Sequence, residues 1–218
     1  MIKTPSKIDE RKIELLMALR RQGITDARVL SAIERVPRDL FVADPFKDQA
    51  YDDNALPIEC GQTISQPYVV AYMTEKLEVS PRMKVLEVGT GSGYQTAVLA
   101  QLCRRVYTIE RYRTLLGEAE ERFNALDLHN ITSKSGDGSK GWPEQEPFDR
   151  IIVTAAAEEL PESLSSQLKI DGWMIIPIGR STRDQKLYRI RRTETGFEAE
   201  ELLPVRFVPL VEGMPKDA

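Results

Sequence analysis

The stretch Val85-Leu86-Glu87-Val88-Gly89-Thr90-Gly91-Ser92-Gly93-Tyr94 decides how this chain is read. A short, mostly apolar strand runs into glycines at every second position, and a helical pattern carrying Ala97, Val98, Ala100 and Leu102 follows. Glycine accepts the positive φ of a tight turn and lets a ligand approach the backbone closely. Strand, glycine turn and helix in that order predict a βαβ unit with a ligand at its first turn. The dinucleotide fingerprint G-x-G-x-x-G would need its last glycine at position 94, where this chain has Tyr94. That departure counts against a nicotinamide-dependent oxidoreductase.

Strands continue to alternate with helices beyond this unit. Strands are expected at 106–109, weakly at 131–133, and strongly at 150–153 and 173–178. Helices are expected at 114–126 and from Pro161 to a stop at Gly172. The pattern predicts an α/β fold: a Rossmann-like, doubly wound, mostly parallel sheet with helices on both faces. Past Asp184, segments 186–191 and 197–203 flank Thr195-Gly196 and read as an antiparallel hairpin. The N-terminal part reads as a helical extension. Ile13, Leu16, Met17 and Arg20 form one helical face with Gly23 as stop, and a second helix starts at Thr25 or Asp26 and ends before Val36-Pro37. Residues 38–61 read as irregular, and Pro67 opens another helix to about Leu77.

Composition narrows the function. The 218 residues are 41% hydrophobic and 29% charged, ordinary for a folded globular chain. Thirty basic against 34 acidic residues give a net charge of −4, and no basic stripe stands out, so no nucleic-acid partner is expected. The longest apolar run, 173–178, is far short of the ~18 residues of a membrane span. The charged N-terminal stretch lacks the apolar core of a signal peptide. Cys60 and Cys103, without CxxC spacing, read as small buried hydrophobes in a reducing cytoplasm rather than as zinc ligands or a disulfide. The single histidine, His129, falls in a loop after a helix, so nucleophile systems that need an imidazole base are disfavoured.

Two further acidic positions suit a nucleoside cofactor. Glu110 ends the second strand of the core, and its two carboxylate oxygens can accept both hydroxyls of a ribose. Asp137, between Gly136 and Gly138, follows the third strand, where close packing against a flat ligand is possible. An acidic residue two before the first glycine, with G-x-G-x-G spacing, resembles motif I of the class I S-adenosylmethionine-dependent methyltransferases.

A narrower resemblance covers nearly the whole chain. The blocks Val36-Pro37-Arg38-Asp39-Leu40-Phe41-Val42, Ala50-Tyr51-Asp52-Asp53-Asn54-Ala55-Leu56-Pro57-Ile58 and Gly61-Gln62-Thr63-Ile64-Ser65-Gln66-Pro67 resemble signature blocks of the protein-L-isoaspartate O-methyltransferase family. So do Gly136-Asp137-Gly138, Val153-Thr154-Ala155-Ala156-Ala157 and Val205-Arg206-Phe207-Val208-Pro209-Leu210. The resemblance implies methyl transfer from S-adenosylmethionine to the α-carboxylate of L-isoaspartyl residues in damaged proteins and peptides. S-adenosylhomocysteine is the other product, and the ester returns to aspartate through a succinimide. It implies Glu87, Gly89, Thr90, Gly91, Ser92, Gly93, Glu110, Asp137 and Gly138 as cofactor residues, Thr63, Ile64, Ser65 and Val208 as substrate residues, and Ser65 as the active-site serine. From spacing alone, Ser65 reads first as an N-cap for the helix opened by Pro67, and only the resemblance reverses that preference. A carboxylate acceptor is already anionic at neutral pH, so no general base and no metal are required. The expected organisation is one monomeric methyltransferase domain over 1–218: helical extension and substrate loop at 1–80, cofactor core at 81–180, C-terminal strands and tail at 181–218. The alternative is a class I methyltransferase acting on another carboxylate or a small molecule.

Overall fold

The computed structural model describes residues 7–215. Two helices come first, α1 (Lys7–Arg21) and α2 (Ala27–Arg35). Asp26 caps α2, its carboxylate accepting the Arg28 N–H at 2.8 Å, as its position before the apolar face predicts. The buried face of α1 differs from the expected one. Leu15 and Leu19 point inward, whereas Ile13 and Met17 are 50% and 52% exposed. Apolar residues at 13, 15, 16, 17 and 19 offer two stripes of the same period, and packing against α2 and the next helix selects the one through Leu15 and Leu19.

The segment expected to be irregular holds two short 3₁₀ turns and then a small antiparallel hairpin, β1 (Leu56–Pro57) with β2 (Thr63–Ile64). Helix α3 (Pro67–Leu77) follows directly, with proline at its first position. The remainder alternates as foreseen: β3 (Lys84–Val88), α4 (Tyr94–Ala100), β4 (Arg105–Glu110), α5 (Arg113–Ala125), β5 (Ile131–Ser135), β6 (Phe148–Val153), α6 (Glu162–Ser165), β7 (Leu168–Ile178), β8 (Lys186–Arg192) and β9 (Phe197–Pro204). The helix expected to run to Gly172 is the exception. It stops at Ser165, and β7 begins at Leu168. Gly172 lies inside that strand at a register shift against β6, where an added Cβ would sit 2.8 Å from the Lys169 carbonyl oxygen. Its glycine marks a bulge, not a helix end.

The seven main strands lie in the order β5-β4-β3-β6-β7-β8-β9, parallel from β5 to β7 and antiparallel from β7 to β9. Period-2 alternation sends Val85, Ile152 and Ile175 into one apolar cluster with α1 to α4. Leu86, Val88, Ile151, Val153, Met174 and Ile176 enter a second cluster with Trp142 and Leu164 of α6. The chain reverses direction across the sheet between β3 and β6, so their carboxyl ends open a crevice where ligands of such sheets bind. No helix among the described residues is long and apolar enough to cross a membrane. Cys103 is buried as expected, but Cys60 is exposed: it sits at φ +56° in the turn between β1 and β2, which leaves the sheet's core.

Candidate active site

At the end of β3 the chain turns through Gly89 (φ +96°), Gly91 (φ +53°) and Gly93 (φ +90°), all left-handed. Two of them are also sterically required. A Cβ on Gly89 would press into the Thr154 hydroxyl, and one on Gly93 would lie 2.7 Å from Cε1 of Phe123 on α5. Gly91 has no such neighbour; the nearest atom to its Cβ position is Ile58 Cδ1 at 3.7 Å. Thr154, directly after β6, donates its hydroxyl to the Gly89 carbonyl at 2.6 Å, tying the loop to the next strand.

Glu110 stands at the end of β4, 5% exposed. Its Oε2 accepts the Gly91 N–H at 2.9 Å and its Oε1 the Tyr112 N–H at 3.0 Å. Those two amides orient the carboxylate while leaving lone pairs for a ligand's hydroxyls. Glu87 plays a different part. It is fully buried and does not reach the cleft. Its Oε2 accepts the hydroxyls of Thr108, at 2.7 Å, and Thr96, and Thr108 Oγ1 in turn lies 2.6 Å from Thr90 Oγ1 in the glycine loop. Burial pushes its carboxyl up to about 8, against the opposing pull of the two threonine hydroxyls. Glu87 is therefore a buttress beneath the loop.

Asp137, also expected at the cofactor, is not among the residues that line the cleft. Its Oδ1 accepts the N–H (3.0 Å) and hydroxyl (2.6 Å) of Ser139, and its Oδ2 accepts the Gly213 N–H at 2.8 Å. Burial opposes its charge, but these donors outweigh it and hold the carboxyl below the usual range. Its neighbour Gly138 does line the cleft, and a Cβ there would meet Val88 Cγ1 at 2.6 Å.

A cleft opens at this end of the sheet. Gly89, Thr90, Gly91, Ser92, Glu110 and Gly138 line it, together with Thr63, Ile64, Ser65 and Val208. Gly93 lies outside the wall, holding the start of α4. A second groove opens beside the cleft, lined by Gln66, Tyr68, Val69, Gln185 and residues 203–208 among others. Thr63, Ser65, Thr154 and Val208 line both cavities. Thr154 went unassigned in the sequence, although its place just after a core strand signals a ligand-facing position.

Ser65 is half-buried and is not the cap of α3; that position is Gln66, whose side chain makes no cap bond. Asp53, from the loop before β1, does the capping: its Oδ1 accepts the Tyr68 N–H at 2.8 Å. Its Oδ2 accepts the side-chain amides of Gln66 and Gln22, each at 3.1 Å. One distant carboxylate thus fixes the chain on the C-terminal side of Ser65. Val208 is held by its carbonyl, which accepts the Ala156 N–H at 2.8 Å. Among the described residues no group of three or more His, Cys, Asp or Glu is placed to hold a metal ion.

A sequence profile of the protein-L-isoaspartate(D-aspartate) O-methyltransferase family matches residues 10–215. A protein-L-isoaspartate O-methyltransferase of Parvibaculum lavamentivorans is 66% identical over 212 residues, which make up 96% of each chain. A solved structure of a protein-L-isoaspartate O-methyltransferase superposes with a TM-score of 0.83 at 29% identity, covering 93% of this chain and 66% of that longer one. A Plasmodium falciparum structure, described as a protein-L-isoaspartate O-methyltransferase in complex with S-adenosyl-L-homocysteine, superposes with a TM-score of 0.81 at 29% identity, covering 92% and 98%.

Proposed function

The chain belongs to the protein-L-isoaspartate(D-aspartate) O-methyltransferase family, and from that premise we propose how its two cavities divide the reaction. The enzyme uses S-adenosylmethionine to esterify the α-carboxylate of L-isoaspartyl residues in damaged proteins and peptides. The cleft is the cofactor side and the adjoining groove the acceptor side. The observation that carries this division is that Thr63, Ser65, Thr154 and Val208 belong to both walls.

The cleft suits the cofactor in its donor set. Gly89 and Gly91 supply backbone without side chains, Thr90, Ser92 and Gly138 complete the wall, and the paired oxygens of Glu110 face a ribose. Glu87, Gly93 and Asp137 act from behind, holding the loop, the start of α4 and the 137–139 turn in shape. When bound, S-adenosylmethionine supplies an activated methyl group on a sulfonium. The protein's work is then positional. Ser65 donates a hydrogen bond to the substrate carboxylate at the junction, Thr63 and Ile64 wall it in, and the Val208 N–H holds the substrate main chain. Such orientation can contribute ~7–11 kcal/mol of barrier reduction, and no residue has to remove a proton.

The continuous apolar cluster from Leu15 to Phe207 supports a single domain over 1–218. The unpaired Cys60 and Cys103 fit a reducing cytoplasm, and the net charge of −4 fits a protein that does not bind nucleic acid. A monomer is the assembly proposed. The test is labelled methyl transfer to a matched isoaspartyl and aspartyl peptide pair. Label on the isoaspartyl peptide alone is expected; equal labelling, or none on either, would remove this reading.

A further inference from the structure

The acceptor groove carries a local charge opposite to that of the molecule. Its lining includes Arg183, on the loop between β7 and β8, and Arg206, just past β9, and includes no aspartate or glutamate. Both arginines are exposed, yet the chain as a whole is acidic, with 34 acidic against 30 basic residues. The nearest carboxylate in sequence, Asp184, is turned back into its own loop, accepting the N–H and hydroxyl of Ser181 at 2.7 and 3.0 Å. On β9, Glu198 and Glu201 pair with Arg191 and Lys186 on the neighbouring strand.

The frame under the two arginines is rigid. Gln185 is 5% exposed and clamps the backbone of Phe207 from both sides: its Nε2 donates to the carbonyl at 3.1 Å, and its Oε1 accepts the N–H at 2.6 Å. The Val205 N–H also donates to the Gln185 carbonyl at 3.1 Å. The loop of Arg183 and the segment of Arg206 and Val208 are thereby locked together at the edge of the junction that holds Ser65. Guanidinium groups present planar forks of donors that match carboxylates.

We infer that Arg183 and Arg206 make the acceptor groove selective for isoaspartyl residues flanked by acidic side chains, and adverse to those flanked by lysine or arginine. The inference rests on the groove being the acceptor side. Each arginine faces solvent, so each contributes modestly, about threefold in kcat/KM at low salt, and screening weakens both at higher ionic strength.

The experiment uses three isoaspartyl peptides of equal length whose flanks are glutamate, glutamine or lysine. Methyl transfer is measured with wild type, Arg183→Glu, Arg206→Glu and the double variant, with thermal melting as a check on folding. Wild type should favour the glutamate-flanked over the lysine-flanked peptide by about tenfold at low salt, with the ratio shrinking at 0.5 M salt. The double variant should invert that order, with each single variant intermediate. A wild-type ratio near one, a preference for lysine, or a ratio unchanged in the double variant would overturn the inference. A different outcome addresses the underlying reading. If the glutamine-flanked isoaspartyl peptide gains no more methyl than its aspartyl twin, the reading and this inference fall together.

Discussion

The glycine loop at 89–93 and the acceptor segment at 62–67 face the same cleft, yet they are held by different means. The loop is locked from within the sheet. Thr154, Phe123 and the buried Glu87–Thr108–Thr90 chain fix it, and three glycines accept its left-handed turns. The acceptor segment rests on a two-residue hairpin and on one carboxylate, Asp53, that reaches it from another loop. Damage to the loop should therefore strike cofactor binding and folding together. Damage to the acceptor segment should strike turnover, with little effect on cofactor binding.

The largest effect is expected at Gly89. Gly89→Ala combines left-handed strain of ~1–3 kcal/mol with overpacking of similar size against Thr154. Thermal melting should fall clearly, and calorimetry should show S-adenosylhomocysteine affinity down by at least about a hundredfold, since ~3 kcal/mol of distortion corresponds to that factor. Gly91→Ala sharpens the comparison: no protein atom crowds its Cβ, so its stability loss should be smaller. Equal melting points for the two variants would break the picture of a loop wedged by Thr154.

Next in size is a pH effect at Glu87. Its buried carboxyl titrates near 8, against about 4.5 when unfolded, so the native state holds a proton that the unfolded state has lost. That stability is fully present below pH 4.5 and is lost as the pH rises through 8. Glu87→Gln removes the titration and should flatten the decline, gaining on wild type by on the order of a few kcal/mol between those limits. Parallel stability curves for the two proteins from pH 5 to 9 would place the charge elsewhere.

Asp53→Asn should be milder. Losing the charge weakens its bonds to the amides of Gln66 and Gln22, at about 1 kcal/mol of stability. Turnover on an isoaspartyl peptide should drop several-fold while S-adenosylhomocysteine affinity stays within about twofold. A parallel loss of product affinity would mean that the two regions are mechanically one.

The same contrast explains what could be read in advance. The parallel core, the strand-end position of Glu110 and the glycine turn were legible because each is encoded by neighbours in sequence: short apolar strands and glycines where φ is positive. The burial of Glu87 was not, since spacing reveals that an acid stands near a loop but not whether Thr96 and Thr108 will enclose it. Nor was the Asp53 clamp, whose partners are scattered from Gln22 to Tyr68. The inward face of α1 and the length of α6 were misjudged for the same reason: tertiary packing chose between two apolar stripes, and a bulge glycine imitated a helix stop. Resemblance of whole blocks supplied the role proposed for Ser65, which local pattern read first as a cap.

The most direct test of the division is Ser65→Ala, assayed for kcat/KM on an isoaspartyl peptide and for S-adenosylhomocysteine affinity by calorimetry on the same folded sample. Ser65 caps nothing, so stability should hardly change. A lost hydrogen bond to a charged group, ~1.5–3 kcal/mol, predicts at least about a tenfold fall in kcat/KM with product affinity unchanged. Wild-type kcat/KM in the variant, or a fall matched by equal loss of product affinity, would contradict the placement of the acceptor carboxylate at Ser65.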